Sequence, residues 1–407
     1  MPTLDLARST AAADVPRAAP TPTPTPVIPA ARAVAELFAS RTSRLVLVLL
    51  GLWAALGVHP DTREAFLTAG NFSNLTAQVS EIVIIGVGMT LVVLIGGIDL
   101  SVGAGMALAG VVAAKLQIDH HQPAWVAVLA ALAVGSVVGA WHGLLVSRFA
   151  LPPFIVTLSG FLAYRGLALV LSDARGLSPM GTDFVRLGAR IAPSTSTALL
   201  VAALLGGLAL LVQHERRRRS FGLAGTGLVS LALTAAVMVS VTAFALFVYQ
   251  GGMPVPVLIA ALATLAGAVL LRRTRLGRYA YAIGGNTEAA RLSGVPVLGV
   301  KVFIYVLTAW LTAMAGVVAA ARTNGVTPGN AGLMRELHVI TAVVIGGTSL
   351  SGGRGTMIGT VIGALVFGTL SNGMNLMNVN SNWQLILTGM ILLGASLLDS
   401  TSMRKRA

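Results

Sequence analysis

Residues Arg275–Val300 read RLGRYAYAIGGNTEAARLSGVPVLGV and lie between two long apolar runs, about Pro254–Leu271 and Val300–Ala321. Within this polar stretch the word Thr287-Glu288-Ala289-Ala290-Arg291-Leu292 has the marks of a short capped helix. Thr287 can accept a hydrogen bond from a first-turn N–H. Glu288 suits the positive end of the helix dipole and Arg291 the negative end. Gly294 and Pro296 then stop the helix. A segment that only connects two membrane helices needs no such construction. It predicts a surface on which something docks; the competing reading is an ordinary basic loop held on the cytoplasmic side.

The apolar runs on either side recur along the chain. Of 407 residues 55% are hydrophobic and 10% charged, against about 25% charged in a soluble domain. Runs such as LVLVLLGLWAALGV are long and continuous, whereas a β-barrel shows short alternating segments of about ten residues. The expected fold is therefore an all-α polytopic membrane protein. The net charge of +14 comes from Lys and Arg clustered between apolar runs, which fits cytoplasmic loops and not nucleic-acid binding. With no cysteine there is neither a disulfide framework nor thiol chemistry. The 46 glycines suit close helix packing in lipid. No cleavable signal peptide is expected.

In chain order, residues 1–40 form a Pro/Thr-rich tail expected to be disordered and cytoplasmic. A membrane domain follows over 41–403, with 275–300 as its cytoplasmic surface segment, and 404–407 form a basic C-terminus on the same side. The expected apolar segments are Leu45–Val58, Val79–Gly97, a third reaching Leu116, Ala124–Val146, Ile155–Leu171, Thr197–Val212, Gly222–Tyr249, Pro254–Leu271 and Val300–Ala321. Three shorter ones follow: Leu337–Ile345, Thr356–Leu370 and Trp383–Leu398. They predict about 10 to 12 crossings with both termini cytoplasmic. The run His214-Glu215-Arg216-Arg217-Arg218-Arg219 is the strongest cytoplasmic anchor. The word Gly346–Gly355 lacks the Lys-Ser/Thr ending of a phosphate loop. It reads instead as a broken membrane segment with non-helical backbone buried in protein.

Few groups qualify for chemistry. Asp99 is placed to cap the third helix through the N–H groups of Ser101 and Val102, though an intramembrane carboxylate is also a functional candidate. Arg165 must snorkel, pair or face water. The six histidines have no metal-ligand spacing, and no paired carboxylates share a segment. The chain reads as a non-enzyme without cofactor or metal; if transport is ATP-driven, another subunit binds the ATP. For a translocation path the candidates are Gln78, Ser80, Thr157, Asn372 and Asn375. For any one of them the favoured reading is a helix-packing hydrogen bond, of roughly 1 kcal/mol in a membrane.

Four words, GGIDLSVG, LPPFIVTL, AIGGNTEAARLSGV and VIGGTSLSGGRGT, resemble those of the permease subunits of bacterial ABC importers for monosaccharides, over about residues 75–400. The resemblance implies a fold of the vitamin B12-permease-like type in the bacterial inner membrane. It also implies a homodimer with a path along its axis, a tandem ATPase subunit on the cytoplasmic face and a periplasmic sugar-binding protein on the other. Gly284, Gly285, Asn286, Glu288, Ala289, Arg291 and Gly294 match the family's coupling loop, which bears on the ATPase. The extra stretch, roughly Val212–Tyr249, is similar to the longer xylose-type members, which points to D-xylose as cargo. Two alternatives carry different expectations: a related importer for another sugar, a signalling sugar or branched-chain amino acids, and an ion-coupled secondary transporter. The latter would place Glu81, Asp99 and Arg165 along an ion pathway.

Overall fold

The computed structural model describes residues 41–202 and 250–404, with Gly206, Gln213, Ser220 and Phe247 between them. The tail 1–40, the arginine run, most of the 212–249 stretch and residues 405–407 lie outside the described residues. So does the end of the expected segment Thr197–Val212.

Among the described residues the chain is helical, with no strand beyond two isolated bridges, Leu177 to Val326 and Arg190 to Pro254. The helices are α1 (Arg41–Val58), α2 (Arg63–Phe66), α3 (Ala69–Leu94), α4 (Val102–Ile118), α5 (Ala124–Ser147), α6 (Pro153–Leu171) and α7 (Thr182–Val185). Then come α8 (Val255–Arg273), α9 (Arg275–Gly285), α10 (Thr287–Leu292), α11 (Val297–Thr323), α12 (Arg335–Ile345), α13 (Met357–Leu376) and α14 (Ser381–Arg404). Six of these, α3, α5, α6, α8, α11 and α13, are long and apolar enough to span a bilayer, and α1, α4 and most of α14 are shorter apolar helices. The protein is an all-α polytopic membrane protein.

Helix α3 is the axis of the molecule. Its second half, from Val79 to Leu94, is buried throughout, because α8, α11, α12 and α13 all pack on it. The helix begins at Ala69, ten residues before the expected apolar segment. Thr68 accepts from the N–H of Asn71 at 3.2 Å and starts it there. The polar first turns carry Asn71, Ser73, Asn74 and Gln78, which dilute hydropathy without preventing helix formation.

The longest helix, α11 with 27 residues, runs antiparallel along α5. Gly135, Gly139 and Gly143 repeat at four-residue spacing on one face of α5. A Cβ on each would collide with Ala309, Val306 and Val302 of α11 respectively. The two backbones approach as closely as only glycine permits. In lipid, where burial of apolar surface does not drive association, such contact supplies the dispersion attraction that does.

The bundle has two ends. The one that carries α9 and α10 is called here the inner end; α3, α5 and α8 finish there and α6 and α11 begin there. The opposite, outer end holds the 172–196 connection, whose Leu177 pairs with Val326, and the turn between α11 and α12.

Candidate functional site

The inner-end segment is two helices and a turn. Thr274 accepts from Gly277 N–H at 3.2 Å and starts α9. This 11-residue helix was not expected from its alternation of glycine and arginine. It forms because one face, with Gly277, Ala280 and Ile283, is buried on the bundle. Asn286 then caps α10, its Oδ1 accepting from Ala289 N–H at 2.9 Å. This corrects the expectation for Thr287, whose hydroxyl instead donates back to the Ile283 carbonyl at 2.9 Å. The extended backbone of Asn286 (φ −159°, ψ 105°) is what a cap position requires, and Thr287 is already helical. Gly294 stands at φ +82°, and Val295 N–H reaches back to the Ala290 carbonyl at 3.1 Å. The helix therefore ends in the left-handed turn that favours glycine.

On α10 only Ala290 faces inward. Glu288 and Arg291 pair at 3.0 Å with both side chains more than 60% exposed. Leu292 is 79% exposed at the last position. An ion pair beside a projecting leucine, on a helix too short to be stable alone, is held outward by its mounting.

That mounting is made of backbone. A Cβ at Gly284 would collide with the Leu94 carbonyl and Gly353 N–H. Gly353 N–H donates to that same carbonyl at 2.9 Å. Tyr281 donates from Oη to the Gly355 carbonyl at 2.7 Å, and burial pushes its phenol up, so it stays protonated as a donor. The turn 346–355 is non-helical as expected but only partly buried: Thr348 and Ser349 are buried, Ser351 and Arg354 are exposed, and Gly347, Gly352 and Gly353 have positive φ. The end of α3, the end of α9 and the 352–353 turn thus interlock.

The four words singled out in the sequence meet here. A cavity of about 480 Å³ beside the junction is lined by Gly96 and Gly97, by Leu151 to Pro153, by Ile283 to Thr287 and by Ser351, with Lys301 and Tyr305 of α11 completing it. Thr157 lies next to it in sequence and is fully buried, its hydroxyl donating at 3.0 Å to both Ile98 and Pro153 carbonyls. Asp99 is also buried, and its Oδ1 accepts from Ser101 N–H at 2.9 Å and Ser101 Oγ at 2.7 Å. It holds the turn that starts α4, with Ser101 itself in the cap position.

The other path candidates lie apart. Ser80 is buried and donates to the Thr76 carbonyl at 2.7 Å; it borders an apolar cavity of about 390 Å³ between α3, α8 and α13 whose lining includes none of the other four. Gln78 is exposed on α3. Asn372 makes a reciprocal amide pair with Asn71, at 2.8 and 3.0 Å. Asn375 accepts from Gln384 at 2.9 Å.

A second polar region was only half visible in the sequence. Glu81 is 1% exposed, halfway along α3. Arg322 at the end of α11 reaches its Oε1 at 2.9 and 3.0 Å, and Arg335 at the start of α12 reaches Oε2 at 2.9 Å. Arg165 is paired, donating from Nη1 to the carbonyls of Pro328 and Ala331 at 2.6 and 2.7 Å. An outward-facing cleft of about 360 Å³ lies over the Glu81 cluster. A carboxylate in an apolar helix needs a cation, and Arg322 and Arg335 bracket a turn able to supply it; that was the available signal.

Residues 71–396 match the family described as branched-chain amino acid transport system / permease component. The chain is 37% identical over 377 residues to the xylose transport system permease protein of Escherichia coli K12, covering 91% of this chain and 93% of that protein. It is 37% identical over 352 residues to the ribose import permease protein of the same organism (86% and 92%). Over 350 residues it is 37% identical to the ribose import permease protein of Bacillus subtilis 168 (86% and 91%). No solved structure matches. With the family matched over most of its length and the family's four words gathered at one junction, the chain belongs to the ABC importer permeases of which these xylose and ribose permeases are members.

Proposed function

We propose that this chain is the inner-membrane subunit of a binding-protein-dependent ABC importer for a monosaccharide, D-xylose before other pentoses. In this reading α10 is the coupling helix. It docks in a cleft of a separate ATPase subunit, with Glu288, Ala289, Arg291 and Leu292 at the contact. Gly284, Asn286 and Gly294 fix its angle, and Gly285 belongs to the same loop without packing on a neighbour. The observation that carries this is the exposed Glu288–Arg291–Leu292 edge on a seat of interlocked backbone. A push on α10 passes directly to the ends of α3 and α9, with no flexible side chain between. Two copies of the chain would form the path, a periplasmic sugar-binding protein would deliver the cargo to the outer face, and both termini would be cytoplasmic. D-xylose is favoured by the 212–249 stretch and by the 91% coverage in the match to the E. coli xylose permease.

The test is uptake of labelled D-xylose into vesicles holding the chain, its ATPase subunit and its binding protein, with ATP inside and the proton gradient collapsed. Uptake that needs both ATP and the binding protein supports the reading; uptake lost on collapsing the gradient with ATP present overturns it. The family description favours one second reading, a branched-chain amino acid as cargo. Competition by leucine and not by ribose would support that instead. Against an ion-coupled mechanism stands Glu81, both of whose carboxylate oxygens are held by arginines.

A further inference from the structure

The inner-end cavity has a chemistry that the coupling role does not use. Lys301 lines it one turn after the start of α11, half-buried, and no Asp or Glu is among the lining residues. Among the described residues Lys301 makes no ion pair. Tyr305, one turn further on the same face, is 0% exposed, and its Oη has no hydrogen-bond partner. That hydroxyl is sealed behind the cavity wall. Asn286, also in the lining, uses its Oδ1 for the α10 cap and keeps its amide hydrogens. The cavity thus offers an ammonium and an amide, both donors.

Its rim is apolar. The turn from α5 to α6 exposes Phe149, Leu151, Phe154 and Ile155, and α11 exposes Leu298. Leu151 borders the cavity itself. Donors inside and exposed hydrocarbon outside, at the level where α5 ends and α6 and α11 begin, match one class of ligand. We propose that this cavity seats the phosphate of an anionic phospholipid from the leaflet at the inner end. Lys301 and the Asn286 amide donate to the phosphate oxygens, and the acyl chains lie along the α5–α6 turn. A soluble anion would have no use for the apolar rim. A zwitterionic lipid would bring a second cation beside Lys301 with no carboxylate to meet it. The site adjoins Gly96–Gly97 and Gly284–Asn286, so the lipid braces the junction on which α10 is mounted.

The test is lipid retention by the full-length chain. The protein is reconstituted in equal phosphatidylglycerol and phosphatidylcholine, extracted, and its bound lipid counted by native mass spectrometry. Phosphatidylglycerol is expected to be enriched on the wild type. Lys301→Gln should lower that enrichment about tenfold, the loss of one charge-assisted hydrogen bond, and Tyr305→Phe should leave it unchanged, since that hydroxyl is sealed from the cavity. Lys301→Arg should keep most of it. In pure phosphatidylcholine all variants should melt with the wild type, and added phosphatidylglycerol should raise the melting temperature of Lys301→Gln least. An unchanged phosphatidylglycerol ratio in Lys301→Gln would overturn the site. So would displacement of the lipid by millimolar inorganic phosphate, which would mark a soluble-anion site. Loss of bound lipid on adding the ATPase subunit would also overturn it, marking the cavity as a seat for an acidic protein side chain.

Discussion

At the outer end Glu81 is buried between Arg322 and Arg335, while beneath α10 at the inner end Leu94, Gly284 and Gly353 meet backbone to backbone. Both regions join α3 to later parts of the chain, yet their physics differs. A charge cluster is directional and tolerates small shifts, because guanidinium and carboxylate swing on flexible side chains. It is also costly to bury, and its attraction does little more than offset the desolvation. A glycine seat has no side chain to swing. It transmits displacement stiffly, since close-packed backbone responds to a push as a unit. The stiff connection lies beneath the exposed α10, and the compliant one lies beneath the outward cleft.

The largest expected effect comes from the outer cluster. Glu81→Leu would remove the carboxylate that pairs both guanidinium groups. Removing one partner of a buried ion pair costs about 3–5 kcal/mol, and a loss of that size should appear in thermal unfolding of the purified protein. Combining it with Arg322→Met and Arg335→Met should recover most of the loss, since a well-packed apolar replacement is often neutral. If the triple variant is no more stable than Glu81→Leu alone, the arginines have structural work besides neutralising Glu81, and the contrast with the inner end weakens.

These two regions were unequally legible in the sequence. Glu81 and Arg165 stood out because charge is rare in the apolar runs, but their partners lie far along the chain, and only the fold joins them. The inner end was visible as words, since GGIDLSVG, AIGGNTEAARLSGV and SGGRG each look like interrupted helix. That Gly284 touches Gly353 could not be read, because glycine carries no side-chain signal of its neighbour. The α10 helix was legible from its ends, Gly294 above all. Its cap was misplaced by one residue, because Asn286 and Thr287 are both good acceptors and only backbone angles separate them. Helix α9 was missed because its stability comes from the face it buries, not from propensity. The membrane fold itself followed from apolar run length, and the start of α3 slipped where polar residues enter a helix that is buried by protein instead of lipid.

Gly284→Ala is expected to act next. The added methyl meets the Leu94 carbonyl and the Gly353 N–H, neither of which can rotate away. Overpacking of this kind costs about 1–3 kcal/mol. The sharper readout is coupling: ATP hydrolysis by the reconstituted complex should persist while uptake per ATP falls. Gly285→Ala is the control, since a Cβ there meets nothing within 4 Å. Equal behaviour of the two variants would mean that the seat does not transmit motion.

Leu292→Ala should leave the stability of the isolated chain within about 0.5 kcal/mol, because the side chain is 79% exposed and away from the core. Its expected effect lies in association. Burying a leucine in a partner contributes about 1.5–3 kcal/mol, so truncation should weaken binding of the ATPase subunit by about tenfold or more in a pull-down titration. Unchanged binding would remove Leu292 from the contact.

Glu288→Lys has the smallest expected effect on the fold and the most selective one on function. It breaks only the 3.0 Å pair with Arg291, both partners being largely exposed, and such surface pairs contribute about 0–1 kcal/mol. It also places a cation at the positive end of α10, a further few tenths of a kcal/mol. Unfolding should therefore be nearly unchanged and the protein should still insert. If α10 is the coupling helix, however, charge reversal on its exposed edge sets a repulsion at the ATPase cleft, and uptake should uncouple from ATP hydrolysis. Because the stability term is so small, the outcome discriminates cleanly. Normal uptake by Glu288→Lys would show that this edge meets no partner, and the stiff inner end would then have to be explained as packing alone.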